Sequence, residues 1–164
     1  LALQLLCLTF VRTTELIGSV WSEIDLDKAL WTIPANRMKM KTEHVVPLAK
    51  QTLAVLEQVR VVAGKSNYLF PGVNPRKTMS NNTMLFALYR LGYKGKMTGH
   101  GFRAVASTIL NEQGYRSDVI ERQLAHIERN AVRAAYNRAE YLPERQKMMQ
   151  DWADMLSSLG LMGC

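Results

Sequence analysis

Three short runs with strand character interrupt a chain that otherwise carries helical periodicity, and that interruption limits the folds open to it. Trp21 to Asp25 (WSEID) and Ala29 to Ile33 (ALWTI) alternate and are β-rich, and Leu26-Asp27-Lys28 between them suits a hairpin turn. His44 to Pro47 (HVVP) reads as a third strand, and its proline, which has no N–H for a ladder, favours an edge or a strand end. Helical segments surround these runs: Leu1 to Phe10, Thr14 to Val20, and Leu48 to Val62 with apolar residues at Leu48, Leu53, Leu56 and Val59. Further helices are expected over Asn82 to Leu91 (capped by Asn81 or Asn82), Gly99 to Gln113, Ser117 to Leu124, Asn130 to Ala135, and from Pro143 to about Leu159. The expected class is α+β, mostly helical, with one small antiparallel three-stranded sheet near the N-terminus.

A chain of 164 residues fits one domain with a real core. Leu1 to Val11, broken by Gln4 and Thr9, is too short to cross a bilayer and lacks the charged start of a signal peptide, so a buried first helix is expected and no membrane partner. Leu1 opens directly in apolar helix-like sequence without a cap, as a fragment of a longer protein would. Cys7 and Cys164 stand near opposite ends outside any CxxC or His/Cys cluster, which suggests neither a zinc site nor a disulfide framework and fits the cytoplasm.

The charge is unevenly spread. Net charge is +7, and from Gln58 to Asn111 the chain has no Asp or Glu while carrying Arg60, Lys65, Arg76, Lys77, Arg90, Lys94, Lys96 and Arg103. A one-signed stretch of that length is either a solvated basic face or the footprint of a phosphate-backbone binder. Arg37, Lys39 and Lys41 alternate just before the third strand; in an extended segment they would point the same way, along a nucleic-acid strand or into water. Arg37, Lys41, Lys77, Lys94 and Lys96 are thus the candidate DNA-contact residues.

Several residues offer chemistry, each beside a plainer role. His100 and Arg103, at i, i+3, share a helix face, either solvated or turned to a ligand. Gly99 and Gly101 flank the histidine, so backbone could approach a ligand closely where the helix start offers free N–H groups to a phosphate. His126 ends an apolar-faced helix, as a packing histidine or a reacting one. Tyr136, ten residues on, is a core aromatic or a nucleophile, with Tyr141 as a competitor. Arg12 lies between two apolar-faced helices, where an arginine is costly unless paired, and Glu15 at i+3 could orient it. Gly64-Lys65-Ser66 lacks the first glycine of a P-loop, and HExxH, GxSxG and GxGxxG are absent.

Taken in order, these residues resemble the tyrosine recombinase family, and within it the integrases of prophages and satellite phages. TFVRTTEL around Arg12, WSEIDLD, RMKMKTEHVVPL around Lys39, HGFRAVASTIL around His100 and Arg103, and QLAHIERNAVRAAYNRA around His126 and Tyr136 carry the resemblance, which covers nearly the whole chain. It implies the recombinase catalytic-domain fold over residues 1–164, preceded in a full protein by a core-binding and often an arm-binding domain. It implies site-specific DNA recombination through a 3′-phosphotyrosyl intermediate on Tyr136. Arg12 and Arg103 would clamp the scissile phosphate, Lys39 rather than Lys41 would protonate the leaving oxygen, His100 would help take the tyrosine proton, and His126 would hydrogen-bond the phosphate. No cofactor and no metal is implied. The implied partners are double-stranded DNA attachment sites, other protomers in a tetramer with possible exchange of the C-terminal segment, and accessory directionality and DNA-bending proteins, all in the bacterial cytoplasm. Trp152, Met155 and Leu156 form an apolar stripe for a neighbouring protomer or for the chain's own core. A non-catalytic DNA-binding module, or a regulator using Leu85 to Leu124 as a helix-turn-helix, is the alternative.

Three positions depart from the family pattern. Phe10 stands where a glycine often lies two residues before the first arginine, Leu124-Ala125-His126 replaces Leu-Gly-His, and Thr13-Thr14 replaces Pro-Gly. None removes a reacting group.

Overall fold

A computed structural model describes residues 1–126 and 141–160. The apolar opening segment forms α1 (Ala2–Thr9), with Leu5, Leu6 and Leu8 buried. It lies at the centre of the fold because helices from both halves of the chain cover it. After α2 (Thr13–Ile17) the chain makes a single 3-10 turn, Trp21–Glu23, before strand β1 (Ile24–Asp25). The expected first strand is therefore cut to two residues. The Glu23 side chain turns inward, where Trp31 Nε1 donates to it at 3.0 Å and Arg37 pairs with it. Burying that carboxylate requires both partners, and the turn supplies the geometry.

Strands β2 (Leu30–Ile33) and β3 (His44–Pro47) complete an antiparallel sheet of order β1-β2-β3, with Trp31 opposite Val46 and Ile33 opposite His44. Pro47 closes β3 on the sheet edge, as its missing donor requires. The pairing runs on through Leu48, whose N–H donates to Ala29 O at 2.9 Å. This holds Leu48 out of the following helix, so α3 spans Lys50–Ala63 instead of starting at Leu48.

Beyond α3 lie α4 (Asn81–Arg90), α5 (Gly99–Glu112), α6 (Ser117–Gln123) and α7 (Leu142–Ser158). Ser80, not Asn81 or Asn82, is the N-cap of α4. The helix expected over Asn130 to Ala135 falls outside the described residues. Helix α7 packs on α1, α3, α6 and β3. Its Trp152 is 2% exposed, meets Phe10 edge-on at 5.9 Å between centroids, and donates its indole N–H to Cys7 O at 2.9 Å. Leu156 is buried and Met155 packs against the same core. The apolar stripe is thus occupied within the chain itself. Cys7 sits in this layer, where burial pushes its thiol up to about 11, a protonated and unreactive form.

Candidate active site

The site is organised by two helix ends. The last carbonyls of a helix have no intrahelical partner and mark its negative end. Helix α6 finishes in a Schellman turn, with Ala125 in the left-handed conformation (φ 49°). In it His126 N–H donates to Glu121 O at 3.1 Å and Ala125 N–H to Arg122 O at 3.1 Å. Those bonds leave the carbonyls of Gln123, Leu124 and Ala125 for other donors, and three elements supply them. His44 on β3 approaches Gln123 O at 3.1 Å, Arg103 on α5 donates to Leu124 O at 2.6 Å, and Arg12 donates to Ala125 O at 3.2 Å. Helix α1 also stops at a left-handed residue, Phe10 at φ 39°, whose N–H donates to Leu6 O at 2.9 Å and whose own carbonyl accepts the other arm of Arg103 at 2.6 Å.

Phe10 and Ala125 are two of the positions where the resemblance leads one to expect glycine, and both end a helix. Both backbones need positive φ, which glycine adopts freely and an L-side chain adopts at about 1–2 kcal/mol. The substitutions keep the turns and accept the strain, so the departure leaves the site geometry intact.

Arg12 is the N-cap of α2. A cation there opposes the helix dipole, and buried Glu15 offsets it by accepting from Arg12 NH1 at 2.7 Å and from the Arg12 backbone N–H at 2.9 Å. The expected orienting role of Glu15 is what the structure shows. Arg103 is only 4% exposed, and its buried Nε–H has no hydrogen-bond partner among the described residues. Such an orphan costs about 1–3 kcal/mol. Burial, and then the neighbouring Arg12 charge, pull the Arg103 guanidinium down to about 10. Two neighbouring guanidiniums of like charge would be relieved by an anion.

His126 joins them. Its Nδ1 lies 2.6 Å from Glu121 Oε2 and its Nε2 3.3 Å from Arg103 NH2. A carboxylate only accepts and a guanidinium only donates. The neutral ring therefore carries its proton on Nδ1 and accepts through Nε2. Glu121 was not singled out in the sequence; its spacing of five from His126 becomes informative only once the Schellman turn folds the histidine back.

His100 is exposed one helical turn before Arg103. The flanking glycines stand at close approaches within the protein itself. A Cβ on Gly99 would lie 2.2 Å from Thr13 Oγ1, and one on Gly101 would lie 2.6 Å from Met97 Sδ. Gly99 admits close packing between the start of α5 and the residue after Arg12, while Gly101 packs against Met97 just ahead of its own helix. One helix-start N–H is also taken, since Thr98 Oγ1 accepts from Gly101 N at 3.2 Å.

Lys39 and Lys41 are exposed, and among the described residues no hydrogen bond joins either to the arginine pair. The expected extended run of three basic side chains is corrected. Ala35–Arg37 form a 3-10 turn and Lys41 has φ 55°. Arg37 turns inward to Glu23 and the Glu15 carbonyl, so it holds the fold together. Lys77, Lys94 and Lys96 are exposed as expected, with Lys94 5.8 Å above the Tyr89 ring. Tyr136 lies outside the described residues. Its competitor Tyr141 caps α7 in left-handed backbone, packs on the core and stacks under Arg116 at 5.1 Å.

This helical domain with a three-stranded sheet has the fold of solved integrases. It matches an integrase from mycobacterium phage Brujita with TM-score 0.69 at 17% identity, covering 91% of this chain and 50% of that one. It also matches the Tn1549 transposon integrase in complex with transposon right end DNA, with TM-score 0.60 at 16% identity, covering 84% and 57%. The sequence of the phage integrase family matches residues 1–142, and the chain belongs to that family. Prophage integrase IntA of Escherichia coli (strain K12) is 45% identical over 152 residues, 92% of this chain and 37% of that protein. The integrase of Enterobacteria phage P4 is 47% identical over 173 residues, 95% and 39% respectively. The chain thus spans about two fifths of the length of these relatives.

Proposed function

We propose that this chain is the catalytic part of a prophage-type integrase that cuts and rejoins double-stranded DNA at attachment sites. The observation that carries the reading is the convergence of Arg12, Arg103 and His126 on one helix end, although they lie far apart in sequence. A phosphodiester carries one negative charge on two non-bridging oxygens. Paired guanidiniums match that shape and would stabilise the added charge of a five-coordinate phosphorus.

In this reading the Tyr136 phenol oxygen attacks phosphorus and the bond to the 5′ oxygen breaks. The protein is left joined to a 3′ phosphate, with a free 5′ hydroxyl. His100 receives the phenol proton, Lys39 gives one to the leaving oxygen, and His126, steadied by Glu121, faces the phosphate. Attack by a second 5′ hydroxyl reverses the step on a new strand. One ester replaces another throughout, so bond energy is conserved. Lys41, Lys77, Lys94 and Lys96 would follow the DNA backbone. The DNA complex of the Tn1549 integrase supports DNA as the partner. A tetramer of protomers and accessory directionality and DNA-bending proteins would complete the reaction in the bacterial cytoplasm.

The test is a suicide substrate nicked beside the cleavage point and incubated with the full-length protein. A covalent protein–DNA adduct is expected, absent in Tyr136→Phe and retained in Tyr141→Phe. An adduct that survives Tyr136→Phe overturns the nucleophile assignment.

A further inference from the structure

Behind the arginines lies a buried polar network that the proposed chemistry does not use. Gln123 is fully buried on the last turn of α6. Its side-chain oxygen accepts from Arg145 Nε at 3.0 Å and Nη2 at 2.7 Å, and its amide nitrogen donates to Thr9 O at 3.4 Å. Arg145, on the first turn of α7 and also fully buried, donates in addition to Val45 O on β3. His44 Nε2, from the same strand, donates to the Gln123 carbonyl at 3.1 Å.

Position gives this network its meaning. Gln123 immediately precedes the two residues whose carbonyls hold Arg103 and Arg12. Its amide also reaches Thr9, the residue before Phe10, whose carbonyl holds the other arm of Arg103. One side chain therefore spans both helix ends on which the guanidiniums rest. Resting on the active-site reading above, we infer that Gln123 and Arg145 are positioning residues of the strand-transfer reaction: Arg145 locks the Gln123 amide, and Gln123 sets the spacing between the α1 and α6 carbonyls that aim Arg103 and Arg12.

The chemistry suits the task. A buried arginine is a rigid planar fork that fixes two acceptors at once, where lysine offers a single point charge. Burial, followed by the charge of Arg122, pulls the Arg145 guanidinium down to about 9, still protonated at neutral pH. A shift of about 1 Å in a guanidinium that clamps a reacting phosphate costs about 100-fold in rate. Among the described residues its partners include Thr9, Val45 and His44, none of which the active-site reading places on DNA, so its loss should act on the chemical step more than on binding.

The experiment uses the full-length integrase on the nicked suicide substrate, comparing Arg145→Met, Arg145→Lys, Gln123→Met and Gln123→Glu with the unmodified protein. The adduct rate at saturating DNA, the Kd for an intact site and the Tm are read together. The two methionine variants should lose about 10- to 100-fold in single-turnover rate, with Kd changed less than about threefold. Gln123→Glu, which keeps the acceptor for Arg145, should recover part of the rate, and Arg145→Lys less. Guanidinium NMR of Arg103 gives a readout independent of activity, and its Nη signals should shift in both methionine variants. If the rate of the folded methionine variants is normal, or if Arg103 is unmoved, the inference is overturned and the role is structural only. If a methionine variant fails to fold, Gln123→Glu and Arg145→Lys decide by the same rate and NMR criteria. An unmodified protein that forms no adduct would defeat the active-site reading itself, a different outcome from variants that react normally.

Discussion

Arg12 and Arg103 donate to adjacent carbonyls, those of Ala125 at 3.2 Å and Leu124 at 2.6 Å, although one caps α2 and the other lies within α5. A single helix end thereby sets the separation of two guanidiniums that repel each other. Arg103 also reaches Phe10 O at 2.6 Å, so its fork is fixed at two points. Lysine cannot hold two acceptors in that plane. Arg103→Lys should lower the single-turnover adduct rate by about 100-fold or more, the size typical of losing one preorganised donor to a developing oxyanion. Quench-flow on the suicide substrate measures it, and a rate within threefold of the unmodified protein would contradict the clamp.

The left-handed residues make a paired prediction. Ala125→Gly relieves positive φ at the cost of one methyl that packs against the core, and should raise stability by up to about 1 kcal/mol. Phe10→Gly relieves the same strain but deletes a buried ring packed edge-on to Trp152. It should cost a net 2–4 kcal/mol, roughly the lower part of the range for a buried aromatic. Urea unfolding of the two variants should move in opposite directions.

His44 gives a pH dependence. Burial, and then the charges of Arg145 and Arg122, lower its imidazole to about 3 from the ordinary 6.5. The folded state keeps the ring neutral while the unfolded chain takes up a proton below about pH 6.5. The contribution is therefore fully present above about pH 6.5 and is lost as pH falls toward 3. The slope is of the order of 1.4 kcal/mol per pH unit. Denaturant midpoints at pH 7.5, 6 and 5 should fall in the unmodified chain. They should fall less steeply in His44→Asn, even if that variant is less stable at pH 7.5. Parallel curves would show that His44 does not titrate as its surroundings dictate.

Basic residues should divide into two groups. Lys77→Gln, Lys94→Gln and Lys96→Gln should each weaken DNA binding and reduce the slope of log K against log salt by about 1, with little change in Tm. Arg37→Gln should behave oppositely. It breaks the inward contacts to Glu23 and Glu15 O and should cost about 2–3 kcal/mol of stability while leaving the salt slope unchanged. Salt titrations with a fluorescent duplex, alongside thermal melts, separate the two groups. A reduced slope in folded Arg37→Gln would place that side chain on the DNA.

Much of this was written in local sequence. The alternation of WSEID, ALWTI and HVVP announces a small sheet, and the apolar periodicity of the α3 and α5 segments announces helices, because side-chain spacing follows backbone period. The order Arg12, Lys39, His100, Arg103, His126 and Tyr136 pointed to a phosphate-handling site, and the Arg12–Glu15 pair was legible because i and i+3 meet on one helix face. Arg37 could not be read this way. Its alternation with Lys39 and Lys41 looks like an exposed basic edge, and only the placement of Glu23 two elements earlier turns it inward.

By itself, then, the sequence determined the element types, the basic character of the Gln58 to Asn111 stretch, and the inventory of candidate reacting groups. Those are properties of residue identity and near-neighbour spacing. Only the tertiary structure decided how the arginines are aimed. Gln123, Leu124 and Ala125 hold the site through backbone carbonyls, which every residue possesses and no motif distinguishes. They became acceptors because α6 and α1 each stop at a left-handed residue, and because β3, α5 and the α2 cap deliver their donors to those stops. Orphaned carbonyls must be satisfied wherever a helix ends inside a protein. Here the groups that satisfy them include the two arginines that the sequence had marked as the phosphate clamp.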